Sequence, residues 1–130
     1  MTKKDLQQLY WIKRNIQQLE NKLLELETSA TRITTQLTKE PRGTSGPEDK
    51  LSEIVCKIVE VQEQINEELK KSYDYMAKIE KAIEALPPRE AHLIRLRYLE
   101  LKSWESICVE MNYSWRQIHR IHSDALKLLA

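Results

Sequence analysis

Along the first part of the chain, apolar residues return at alternating steps of three and four: Leu9, Ile12, Ile16, Leu19, Leu23, Leu26, Ala30, Ile33 and Leu37. That spacing is the a/d seam of a heptad helix flanked by Gln, Glu, Lys and Asn, and such a seam needs a partner helix. After Glu27 the stretch TSATRITT weakens the pattern. Thr and Ser lose side-chain freedom in a helix or compete for its hydrogen bonds, so the helix is expected to fray or end there. KEPRGTSGPED, residues 39–49, holds both glycines and two of the four prolines, and marks a loop. Ser45 stands three residues before Glu48, the spacing of a capping box, which predicts a second long helix from Pro47. Its seam runs Leu51, Ile54, Ile58, Val61 and Ile65, takes one extra step of four to Leu69, and continues through Met76, Ile79, Ile83 and Leu86. The extra step is a stutter, which locally unwinds a coiled coil without ending it. Two such helices joined by a short loop fold back as an antiparallel hairpin or pair between chains. A two-helix seam buries little, which predicts a dimer in which hairpins pack together.

Leu86-Pro87-Pro88 ends this pattern, because proline restricts the residue before it and donates no backbone hydrogen bond. Glu90 to Leu101 then reads as a third, amphipathic helix with Leu93, Ile94, Leu96 and Tyr98 apolar and Arg95 and Arg97 outward. From Trp104 to Ile121 the chain, WESICVEMNYSWRQIHRI, fits a helix-turn-helix position by position. Ile107 and Met111 face inward, Cys108 is small where two helices cross, and Asn112 is a residue that tolerates the left-handed backbone of the turn. Tyr113 plugs the turn. Ser114 and Gln117 form a capping box at the start of a last helix whose apolar face is Ile118, Ile121, Ala125 and Leu128. The expected fold is therefore all-α: a long coiled-coil hairpin over residues 1–86, serving oligomerisation, and a helix-turn-helix domain over residues 87–130.

Charge sharpens the picture slightly. The chain is nearly neutral at +1, so it is no polycation that would coat nucleic acid. Residues 87–130 carry 7 Lys/Arg against 5 Asp/Glu together with all three histidines, while the remainder holds 14 against 15. The opening MTKKDLQQLYWIKRNIQQLE is too polar for a signal peptide and no run of 18 apolar residues occurs, which predicts a cytosolic protein with no membrane role. Cys56 and Cys108 lie on apolar stripes with no CxxC spacing, and both are expected to be small buried hydrophobes.

The chemistry concentrates on the last helix. Opposite its isoleucines stand Trp115, Arg116, His119, Arg120 and Ser123, with Gln117 beside them. Arg donates in bidentate fashion to guanine in the major groove, and the first residues of a recognition helix reach deepest. Trp115 has two candidate roles, contact with a thymine methyl or packing on the sugar-phosphate backbone. Lys102, Ser103 and Lys127, near helix ends, are candidates for phosphate contacts that set position rather than sequence. His119 and His122 lack a third ligand at metal spacing, and no GxSxG, HExxH or phosphate-cradling glycine loop is present. Neither metal, cofactor nor enzymatic activity is expected.

The stretch LPPREAHLIRLRYLELKSWESICVEMNYSWRQIHRIHSDALKLL resembles sigma factor region 4: a Leu-Pro pair, Arg89-Glu90, a leucine-rich helix, the helix-turn-helix, and an "ALKKL"-like tail at Ala125 to Leu129. With the heptad front half and the TSGPEDKL segment, the chain also looks like small phage and mobile-element proteins of Gram-positive hosts related to the ArpU and RinA types of late-gene transcription activator. The resemblance implies a regulator in the cytoplasm of a bacterial host that binds double-stranded promoter DNA, with RNA polymerase as a candidate partner. It carries base contacts onto Trp115, Arg116, His119 and Arg120. It does not imply a complete sigma factor, since nothing resembles region 2. Trp at the first contact position departs from the pattern, so the DNA sequence that region 4 reads does not transfer. Two rival readings stand beside this one: an adaptor or protein-interaction module with Trp115 as an interface anchor, and a structural coiled-coil protein capped by the C-terminal unit.

Overall fold

The computed structural model describes residues 1–39 and 46–130, with side chains for 1–35 and 48–130, and those residues form helices and no strand. Helix α1 spans Lys3–Lys39 and α2 spans Gly46–Ile83. Helix α3, Pro88–Ile94, runs on into a π-helical turn, Arg95–Leu99, and α4, Trp104–Met111, and α5, Trp115–Leu129, complete the chain. The expected helical hairpin followed by a helix-turn-helix is thus the architecture. Most of the loop expected over residues 39–49, and the Ser45 side of its capping box, lie outside the described residues. None of the described helices is long and apolar enough to cross a membrane.

Helix α1 does not end in its Thr-rich stretch. Thr28, Thr31, Thr34 and Thr35 each donate a hydroxyl hydrogen bond to the carbonyl one turn back, at 2.8, 2.9, 2.9 and 3.0 Å. The hydroxyls are satisfied by acceptors already in the helix, so they take nothing from its backbone N–H ladder. The third helix is also different from the expectation of one regular helix to Leu101. Glu100 N–H reaches back to the Arg95 carbonyl at 3.0 Å, and Lys102 N–H to that of Leu96 at 3.0 Å. Leu101 between them takes a left-handed φ of 55°. The Lys102 bond spans six residues, one more than the six-to-one bond of the common glycine-closed terminator, as the wider π-helical turn before it requires.

The chain divides into two compact units, one made of Met1–Lys13 with Lys71–Ala130 and the other of Arg14–Lys70. The division therefore falls within both long helices. In the first unit Leu6 and Leu9 from the start of α1 and Ile79 and Ile83 from the end of α2 pack antiparallel, with Leu86, Ile94, Tyr98, Leu99 and Ala125, as one buried cluster. Burying side chains of this size stabilises by about 1.5–3 kcal/mol each, which ties the ends of the long helices to the C-terminal elements. A second cluster, Leu93, Leu96, Ile107, Ile118 and Ile121, is the inner core of the helix-turn-helix, with Trp104, Cys108, Met111 and Tyr113 packed against it.

Among the described residues of the second unit, only Ile16 and Val61 are buried apolar residues. Leu19, Leu23, Leu26, Ile33, Ile54, Ile58 and Ile65 are half-buried. Cys56 is exposed, contrary to expectation, because it stands two residues from each of the seam positions Ile54 and Ile58 and so points away from that stripe. Cys108 is half-buried and unbonded, as a small residue at a helix crossing.

Candidate nucleic-acid interface

The two short helices that present the interface are set by their caps. Ser103, with extended backbone, accepts a hydrogen bond from Ser106 N–H at 3.2 Å and opens α4. Asn112 closes it in the left-handed region, φ 58° and ψ 45°, and the N–H of Tyr113 bonds back to the Cys108 carbonyl at 3.1 Å. Ser114 then opens α5 with a complete capping box: its N–H donates to Gln117 Oε1 at 2.9 Å while Gln117 N–H donates to Ser114 Oγ at 3.3 Å. Ile118, Ile121 and Ala125 turn inward and are buried.

Of the residues singled out for DNA, Trp115, Arg116, Gln117, Arg120, Ser123 and Lys127 are exposed on α5. Gln117 shares its amide oxygen with the cap, which leaves its amide nitrogen for a ligand. Lys102 is tied down by Glu110, Nζ to Oε2 at 2.6 Å, and that carboxylate raises the ammonium pKa. Ser103 is likewise engaged as the cap of α4 and keeps only its hydroxyl proton for a phosphate.

His119 sits differently from an outward base-reading group. Its ring is packed between Trp104, at 4.7 Å centroid to centroid, and Trp115, at 4.5 Å, and its Nε2 is buried with no hydrogen-bond partner. The stack continues inward through His122, 4.8 Å from Trp104 and nearly perpendicular to it. His122 is buried, and Tyr98 Oη lies 2.6 Å from its Nε2. Burial, and then the electrostatic influence of Lys3, His119 and Arg97, push the His122 pKa down to about 4, while burial pushes the Tyr98 phenol up to about 12. Both groups are therefore neutral across the physiological range, with the phenol donating and the imidazole accepting. His122 is a core residue.

Two cations outside the expected set join the face. The Arg97 guanidinium covers the Trp104 ring at 4.5 Å and donates to the Lys102 carbonyl at 2.9 Å. Arg89, paired with Glu90 at 2.7 Å, lines a small cleft with Tyr113, Gln117, Arg120 and Asp124. Arg97 lines another cleft, of about 470 Å³, with Gln7, Tyr10, Trp11, Tyr98, Leu101 and Ser103. Sequence spacing placed Arg97 outward on a regular helix, and the π-helical turn is what brings it beside Trp104. Among the described residues no group of three or more His, Cys, Asp or Glu is placed to hold a metal ion.

Comparison with curated proteins and with solved structures gave no match. One family model does match: residues 82–130, from the last turn of α2 through the helix-turn-helix, are similar to Sigma-70, region 4.

Proposed function

We propose that the protein is a sequence-specific DNA-binding transcription regulator that reads the major groove with α5. The observation that carries this reading is the exposed first half of α5, closed by a complete capping box, with Arg116, Gln117, Arg120 and Trp115 outward on a helix-turn-helix similar to Sigma-70, region 4. Its role is binding rather than catalysis, in the cytoplasm of a bacterial host cell. Within that reading the protein activates phage or mobile-element genes in the manner of the ArpU and RinA types.

Paired half-sites follow if the protein is a coiled-coil dimer. Support comes from the second unit, where seam residues other than Ile16 and Val61 are only half-buried and Leu24, Val55 and Val59 stand exposed, apolar area that a second copy would cover. Two recognition helices would then favour half-sites separated by about one helical turn of DNA or a multiple of it. Sedimentation equilibrium reads the oligomeric state directly.

The test of DNA reading is selection from randomised duplex DNA followed by sequencing, at two salt concentrations. An enriched motif whose recognition falls by about 1–3 kcal/mol with Arg116→Ala or Arg120→Ala establishes direct readout. Lys127→Ala weakens all sequences alike and lowers the salt slope by about one. Weak binding without a motif overturns it. A second reading, an RNA polymerase adaptor, is favoured by Tyr10 and Trp11, an exposed edge-to-face aromatic pair on the 470 Å³ cleft. Co-purification of polymerase by the wild type but not by Trp11→Ala supports that reading.

A further inference from the structure

Trp115 is the first residue of α5, directly after the Ser114 cap, and 55% of its surface is exposed. Such exposure usually leaves a side chain free to turn, and ordering it on a ligand would then cost conformational entropy. Here the indole is already propped. Its ring leans on His119 at 52°, His119 leans on Trp104 at 45°, and Trp104 is itself held by His122 beneath and by the Arg97 guanidinium. The far end of this ladder is anchored in the core by the Tyr98 to His122 hydrogen bond. The buried, unpartnered Nε2 of His119 fits a ring whose contribution is its flat faces rather than its nitrogens.

A rigid apolar plate at the head of a groove-reading helix has few matching features on DNA. Base edges in the major groove present hydrogen-bond donors and acceptors, and the apolar exception is the C5-methyl group of thymine. Arg116 and Arg120, beside the plate, present donors that suit guanine. We propose that Trp115 is a specificity-determining residue that recognises a thymine methyl in the major groove, and that His119 is a positioning residue that holds the indole at the angle this contact needs. The inference rests on the DNA-reading function proposed above, and settles which of the two roles open to Trp115 it plays.

The experiment takes the full chain and the motif from the duplex selection, then replaces each thymine in turn by deoxyuridine, which differs only in lacking the methyl. Wild-type affinity should drop about four-fold at one thymine per half-site, the value of one buried methyl group. Trp115→Ala should bind the thymine and deoxyuridine duplexes equally, while Trp115→Phe, which keeps the apolar plate and loses the indole N–H, should keep most of the discrimination. His119→Ala, checked for intact helicity by circular dichroism, should lose discrimination while responding as the wild type does to guanine substitutions at the positions read by the arginines. A motif with no thymine-to-deoxyuridine difference overturns this inference and leaves the DNA reading standing. So does a Trp115→Ala loss that is equal on both duplexes with wild-type discrimination retained, since that is the behaviour of an indole on the sugar-phosphate backbone. Absence of any enriched motif overturns both readings together.

Discussion

The same heptad seam runs through both units and meets two different fates. Leu9, Ile79 and Ile83, on the seam of the first unit, are buried to within 1%. Leu23, Leu26, Ile54 and Ile58, on the seam of the second, are only half-buried, although residue types and spacing are alike. The difference lies in the third layer. Ile94, Tyr98, Leu99 and Ala125 cover the seam in the first unit, whereas the described residues of the second unit are segments of the two long helices alone. Periodicity therefore fixes which face of a helix is apolar, and the number of elements that converge on the face decides how much water is removed.

The largest test of this contrast is truncation on either side of it. Ile79→Ala should cost about 2–5 kcal/mol in urea unfolding, because a fully packed site collapses only partly around the cavity. Leu23→Ala, where water already wets part of the side chain, should cost about 1 kcal/mol. Equal losses would break the comparison and show that a second copy covers the seam of the second unit.

Next in size is acid. The buried His122 imidazole has its pKa lowered to about 4 from an ordinary 6.5, so the unfolded chain binds a proton that the folded chain refuses. Its stabilising contribution is complete above pH 6.5 and is lost as the pH falls from 6.5 towards 4, to a total of about 3 kcal/mol. Glu90, whose carboxyl Arg89 holds below its usual range, adds a loss only below its ordinary value of 4.5. The interval from 6.5 to 4.5 thus isolates the histidine. Thermal unfolding across it should show a falling midpoint in the wild type and a flat one in His122→Phe.

Smaller effects follow from the two left-handed residues. Asn112→Ala should destabilise by about 1 kcal/mol and Asn112→Gly hardly at all, while Leu101→Gly should relieve a left-handed backbone cost of about 1–2 kcal/mol. Smallest, Thr31→Ala in the second unit should stabilise by a few tenths of a kcal/mol, because alanine is the better helix former and the hydroxyl gains little from a carbonyl already bonded. A loss there would mean that the Thr-rich segment makes contacts beyond its own helix.

The two left-handed positions also measure what was legible in the chain. Asn112 announced its turn because asparagine tolerates that backbone, and Ser114 stood at capping-box distance from Gln117. Leucine announces no such thing at position 101, so the π-helical turn and the arrangement of Arg97 over Trp104 were hidden by a sequence that reads as a regular helix. Helical spacing likewise put Trp115 and His119 on one outward face. It could not show that Trp104, from a different helix, fills the space beside His119 and converts a candidate ligand contact into packing. The seam hid a similar fact, since nothing in Leu6 or Leu9 distinguishes a residue that meets only its hairpin partner from one that also meets Ala125.

That contact between Leu6, Leu9 and the C-terminal helices has a consequence for how the molecule is made. During synthesis Leu6 and Leu9 are made long before Ile94 and Ala125, which share their buried cluster. Long closures of this kind are slow relative to local helix formation. The helix-turn-helix gains its full support only once synthesis has passed α5, and a fragment that begins at Pro87 would be released with the surface meant for α1 still wet.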